Sequence, residues 1–157
     1  MMAHRYLALG DSYTIGEGVA EPGRWPVQLA ALLRARGIAI GSPEIVAQTG
    51  WTTDELADAM DAAEPPLAGP YDLVSLLIGV NNQYRRRPLE EYAAQFAGLL
   101  DRAVVLADDA PGRVLVVAIP DWSVTPFADG DDRGRRAIAA AIDAFNAVNR
   151  AAAERAG

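Results

Sequence analysis

Leu73-Val74-Ser75-Leu76-Leu77-Ile78-Gly79-Val80-Asn81-Asn82 is the stretch on which the fold turns. A strand with one wet face alternates polar and apolar residues. This run is apolar almost without interruption, so it reads as a strand covered on both faces, as in a parallel sheet between helices. It spans about 72–79 and closes on a glycine followed by two carboxamides.

The same plan recurs on either side. Tyr6-Leu7-Ala8-Leu9-Gly10-Asp11-Ser12-Tyr13-Thr14 carries a strand over 4–10 into a glycine turn that presents a serine. Glu44 to Gln48 is a short second strand whose run ends at Gly50. Arg113 to Ile119 is a fourth, and its Val-Leu-Val-Val-Ala-Ile core predicts an interior position.

Helical spacing fills the gaps. Pro26 suits a first helical turn, Val27, Leu29, Ala30, Leu32 and Leu33 give an apolar face, and Gly37 stops it. Thr52 or Thr53 caps a helix that runs to about residue 63 and is halted by Pro65-Pro66. Pro88 precedes a long helix bearing Tyr92, Phe96, Leu99, Leu100, Ala103 and Leu106. The last helix covers about 133–155, with Ile138, Ile142 and Phe145 on one face. Alternating strands and helices predict a parallel sheet sandwiched between helix layers, an α/β architecture of three layers.

Composition narrows the chemistry. The 157 residues fit one domain, and 51% hydrophobic with 22% charged is ordinary for a globular chain. With no cysteine and a single histidine, no disulfide, thiol nucleophile or protein-held zinc or iron site is expected, nor any other cofactor. All 14 basic residues are arginine, which excludes a Schiff-base or P-loop lysine. A net charge of −7 argues against nucleic acid as a partner. No apolar stretch reaches the ~18 residues of a membrane span, and the early residues do not read as a signal peptide, so a cytoplasmic location is the default expectation, beside a secreted form whose leader has been removed.

Ligands of parallel α/β sheets bind beyond the carboxyl ends of the strands. Ser12, Gly50, Asn81 and the Pro120-Asp121-Trp122 loop all fall at that edge. A serine, a glycine amide and a carboxamide there have the makings of a nucleophile with an oxyanion site. Other readings stand beside this one. Ser12 could cap a helix, Asp11 could organise nearby backbone, and Asn82 reads as a loop stabiliser. Arg85-Arg86-Arg87 is either a solvated loop or a handle for anionic substrates. Tyr13, Trp51, Tyr84, Trp122 and Phe127 flank the site and are candidates for an acyl or aryl pocket, while Trp25 reads as core. His4, Glu17, Asp129, Asp131 and Asp132 read as structural or solvated.

These residues resemble the SGNH (GDSL-type) hydrolase superfamily: Gly10-Asp11-Ser12 in its nucleophile block, Gly50 in the second, and Gly79-Val80-Asn81 in the third. The resemblance runs from His4 to the end of the chain. It implies that Ser12 is the nucleophile of an esterase or lipase acting through an acyl-enzyme. It also implies that the Ser12 and Gly50 backbone N–H groups and the Asn81 amide hold the oxyanion. The expected partner is a small ester.

The chain departs from the superfamily in lacking the Asp-x-x-His block that supplies the base and its orienting partner. His4 starts the strand that Ser12 follows, on the order of 20 Å away at the opposite edge, and cannot replace it. In a flavodoxin-like order 2-1-3-4-5, a fifth strand would cover the fourth. The chain is therefore expected to be a C-terminally incomplete hydrolase domain of low activity. Its bare fourth strand is expected to offer an edge for a homodimer. The alternative is a non-catalytic small-ligand or carbohydrate-binding module of the same fold, and a flavin-binding reading is weaker.

Overall fold

Tyr6–Gly10 forms the first strand, β1, and all five of its residues are buried. The computed structural model describes residues 2–157. With β2 (Glu44–Ala47), β3 (Leu73–Leu77) and β4 (Val114–Val116), β1 builds a four-stranded, all-parallel sheet ordered β2-β1-β3-β4. The order 2-1-3-4 and the flanking helices agree with the sequence reading of the fold.

Among the described residues, six α-helices accompany the sheet: α1 (Ser12–Ile15), α2 (Trp25–Ala35), α3 (Thr53–Asp61), α4 (Val80–Tyr84), α5 (Leu89–Leu106) and α6 (Arg135–Ala156). Thr52 caps α3 in a reciprocal box: its side chain takes the backbone N–H of Glu55, and the Glu55 carboxylate takes the Thr52 N–H at 2.9 Å.

The pleat sorts β1 side chains to two faces. Tyr6 and Ala8 pack with Ala30 of α2 and with Ile40, while Leu29 and Leu33 close the layer. Leu7 and Leu9 point the other way, joining Val74 and Leu76 of β3 under Leu56 of α3, Phe96 and Leu99 of α5, and Ile138 and Ile142 of α6. Each such burial contributes about 1.5–3 kcal/mol, which makes this second layer the larger stabiliser. Trp25, expected in the core, is only half-buried.

β4 differs from the expectation of a buried strand over 113–119. It is three residues long, pairs only with β3, and leaves Leu115 44% exposed. The cause is the placement of α2, which covers the Tyr6 and Ala8 face near β2 and β1 and leaves the β4 end bare. Beyond the strand, the Asn146 side chain of α6 accepts the Ile119 N–H at 2.7 Å and donates to the Ile119 carbonyl at 2.9 Å. Among the described residues, no helix is long and apolar enough to cross a membrane.

Candidate active site

Every parallel strand delivers its following loop to the same sheet edge, and one cleft of about 260 Å³ opens there. Ser12 after β1, Gly50 after β2, Asn81 after β3 and Trp122 after β4 all line it. The three residues singled out for acyl chemistry thus share one cavity.

Ser12 is not needed as a helix cap. Asp11 holds that position, its Oδ1 accepting the Tyr13 N–H at 3.0 Å, and Ser12 is the first helical residue of α1. The Asp11 carboxyl is wholly buried, and among the described residues its Oδ2 has no hydrogen-bond partner. Burial outweighs the Tyr13 bond and pushes its pKa up to about 7.

Gly50 sits third in a four-residue turn closed by the Trp51 N–H on the Gln48 carbonyl at 3.3 Å. Its φ of +89° is what such a turn requires and what a side chain resists. The closing bond leaves the central N–H, that of Gly50, uncommitted, and among the described residues it donates to no protein acceptor. Asn81 donates through Nδ2 to the Trp51 carbonyl at 2.9 Å. A carboxamide carries two N–H bonds on that nitrogen, so one remains for a ligand.

Gly79 makes the turn from β3 into α4. Its φ is +132°, and a Cβ there would lie 2.5 Å from Tyr92 Cε2 and 2.9 Å from Ile119 Cδ1. Asn82 is fully buried and binds Thr53 twice, in keeping with a stabilising role.

Tyr84, Trp122 and Phe127 form a wall of rings with centroids 5.7–5.9 Å apart, and Tyr13 and Val80 add apolar surface. Arg133 holds this wall from behind. It pairs with Asp131 at 2.7 Å, donates to the Gln83 carbonyl at 3.0 Å and lies over the Tyr84 and Trp122 rings. Trp51 packs against the core rather than lining the cleft.

Arg85 and Arg86 are exposed turn residues, in keeping with the solvated-loop reading, and Arg87 is half-buried; each is paired with a carboxylate. Arg85 meets Glu55 at 3.4 Å, Arg86 pairs with Asp132, and Arg87 bridges Asp54 at 2.6 Å and Glu91. Glu17, read as solvated, is exposed but lines the cleft, because its N–H folds back onto the Ser12 carbonyl at 3.2 Å. Thr49 also lines the cleft, a placement that follows from its position beside Gly50. His4 lies at the far edge, 3.3 Å from Asp72 just ahead of β3. Among the described residues, no group of three His, Cys, Asp or Glu could hold a metal ion.

The fold resembles solved hydrolases. AlinE4, an SGNH-hydrolase family esterase, superposes with a TM-score of 0.72 at 19% identity, over 99% of this chain and 74% of that one. TesA gives 0.71 at 20% identity over 98% and 74%. Phospholipase A1 from Streptomyces albidoflavus gives 0.68 at 24% identity over 99% and 78%. At these identities the likeness is one of fold. None of the curated proteins is detectably similar in sequence. The sequence profile of the GDSL-like Lipase/Acylhydrolase family does match, over residues 8–157, and the chain belongs to that family.

Proposed function

We propose that the chain carries the nucleophile and oxyanion donors of a serine ester hydrolase that acts on small esters with an apolar acyl or aryl group. The observation that carries this reading is the convergence of Ser12, Gly50 and Asn81, from three separate strand ends, on one cleft. Ser12 Oγ bonds to the ester carbonyl carbon as the C=O π bond opens onto its oxygen, and the serine proton passes to solvent water. The Ser12 and Gly50 N–H groups and the spare Asn81 N–H hold the oxygen that becomes negative. The alkoxide leaves as the alcohol after taking a proton, and water then cleaves the acyl-serine to acid and free enzyme. The Tyr84, Trp122 and Phe127 rings support the preference for an apolar substituent.

Serine needs a proton acceptor, and the sole histidine, His4, stands at the opposite sheet edge beside Asp72. The 157-residue chain by itself is therefore expected to turn over slowly. The same observation favours a second reading, a small-ligand module that keeps the cleft without the chemistry. A fluorophosphonate probe with p-nitrophenyl esters separates the two. Covalent labelling at Ser12, abolished in Ser12→Ala, is the expected result. Equal labelling of the variant, or saturable binding of the ester with no labelling at all, would end the hydrolase reading.

A further inference from the structure

We propose that Arg85 is a positioning residue that fixes the Gly50–Trp51 peptide and so orients the neighbouring peptide that carries the Gly50 oxyanion donor, an inference that rests on the acyl-transfer reading above. Arg85 caps the C-terminus of α4, and its N–H bonds the Asn81 carbonyl at 2.9 Å. Residues four apart on a helix share a face, so the Asn81 and Arg85 side chains reach in the same direction. Asn81 holds the Trp51 carbonyl at 2.9 Å, and Arg85 Nη2 donates to the Gly50 carbonyl at 2.6 Å. Two successive carbonyls of one turn are thus held from one helical face.

Gly50 is where such support matters. With no side chain and a φ of +89°, its backbone has little intrinsic stiffness. The Gly50–Trp51 peptide is held twice, its N–H by the Gln48 carbonyl and its carbonyl by Arg85, and the Thr49–Gly50 peptide that carries the donor is slung between it and Gln48. A Cβ on Gly50 would lie 3.7 Å from Arg85 Nη2, so the guanidinium rests directly against this residue. The guanidinium is itself anchored by Glu55 at 3.4 Å, and the Glu55 carboxylate takes the Thr52 N–H at 2.9 Å and the Thr52 hydroxyl at 3.0 Å. Glu55, Arg85 and the Gly50 carbonyl form a chain from α3 to the peptide next to the donor. Because a charged donor strengthens a hydrogen bond and its planar fork holds direction, lysine is a partial substitute and methionine none.

The test compares Arg85→Met and Arg85→Lys with the parent chain in two measurements. Residual dipolar couplings of backbone N–H vectors report the orientation of Gly50 N–H whether or not Ser12 reacts. The Gly50 coupling should collapse in Arg85→Met while couplings in β1 and α5 stay unchanged, and Arg85→Lys should recover part of it. In the second measurement, the first-order step of Ser12 labelling by a fluorophosphonate should fall roughly tenfold in Arg85→Met, with the probe's reversible binding constant unchanged. Glu55→Gln, which loosens the guanidinium without removing it, should give a smaller change in the same direction. A Gly50 coupling unaffected in Arg85→Met overturns the positioning role whatever the labelling does. A changed coupling with an unchanged labelling step overturns the link to the oxyanion. Labelling that persists in Ser12→Ala overturns the acyl-transfer reading instead, and with it the link to the oxyanion, while the coupling still decides whether Arg85 holds the peptide.

Discussion

Asn82 and Thr53 hold each other through two buried hydrogen bonds: Asn82 Oδ1 accepts the Thr53 N–H at 3.1 Å, and Asn82 Nδ2 donates to Thr53 Oγ1 at 2.8 Å. The pair welds the start of α3, just after Gly50, to α4, which carries Asn81. Removing the amide strands the buried Thr53 N–H and takes a donor from the Thr53 hydroxyl, which still donates to Gln95 Oε1. Asn82→Ala should therefore lower stability by about 2–3 kcal/mol in urea melts. Its neighbour should behave oppositely. Asn81→Ala removes one partly buried bond, so it should cost about 1 kcal/mol or less. Its Ser12 labelling, however, should slow by roughly 10²–10³-fold. Equal stability losses in the two variants would dissolve the distinction between them.

Gly79 has no room for a methyl group. A Cβ would come within 2.5 Å of the Tyr92 ring at a φ of +132°. Tyr92 cannot retreat, being fully buried, stacked on Phe145 at 4.6 Å and bonded through its hydroxyl to the Ile78 carbonyl at 3.0 Å. Strain and overpacking together place the loss for Gly79→Ala at roughly 3 kcal/mol or more, read from the urea midpoint. A change under about 1 kcal/mol would mean that the β3–α4 turn relaxes freely.

How much of this was legible in the sequence depended on the range of the interaction. The β1 and β3 runs and the glycine turns after β1, β2 and β3 are local patterns, and they located the sheet and the cleft edge, while the strand order came with the family resemblance. Thr52 with Glu55 is likewise a local capping signature. The arginines were not legible in this way. What Arg85 touches lies 35 residues away at Gly50, and what Arg86 touches lies 46 residues away at Asp132. A run of three arginines says nothing of such partners. Glu17 was missed because the chain doubles back onto Ser12 after a single helical turn.

β4 shows the same limit in the apolar residues, and it can be tested. Its composition reads as interior, yet Leu115 is 44% exposed while Leu76, on the adjoining strand β3, is fully buried. Leu115→Lys should change stability by no more than about 0.5 kcal/mol, as for surface positions in general. Leu76→Ala should cost roughly 3 kcal/mol through lost contacts and an unfilled cavity. Comparable losses at the two positions would place Leu115 inside a core that the sheet order does not provide.

Asp11 makes stability depend on pH in a direction opposite to most carboxylates. Its pKa rises from 3.8 to about 7 because the buried carboxylate loses its hydration and gains only the Tyr13 N–H in return. Below about pH 4 the folded and unfolded chains both hold the proton, and the residue carries no penalty. Between about 4 and 7 the folded chain keeps a proton that the unfolded chain has released, so this group's contribution falls as pH rises. Above about 7 both are ionised and the loss is complete. A shift of that size corresponds to on the order of 4 kcal/mol. An asparagine side chain at this position would keep an oxygen for the Tyr13 N–H and never ionise. The stability difference between Asp11→Asn and the parent should therefore grow in favour of the variant from about pH 4 to about pH 8, by up to that amount. Other titrating groups are common to both proteins and cancel in the difference. Urea melts at about pH 4, 6 and 8 measure it, and a difference constant across that range would show that the Asp11 carboxyl is solvated rather than enclosed.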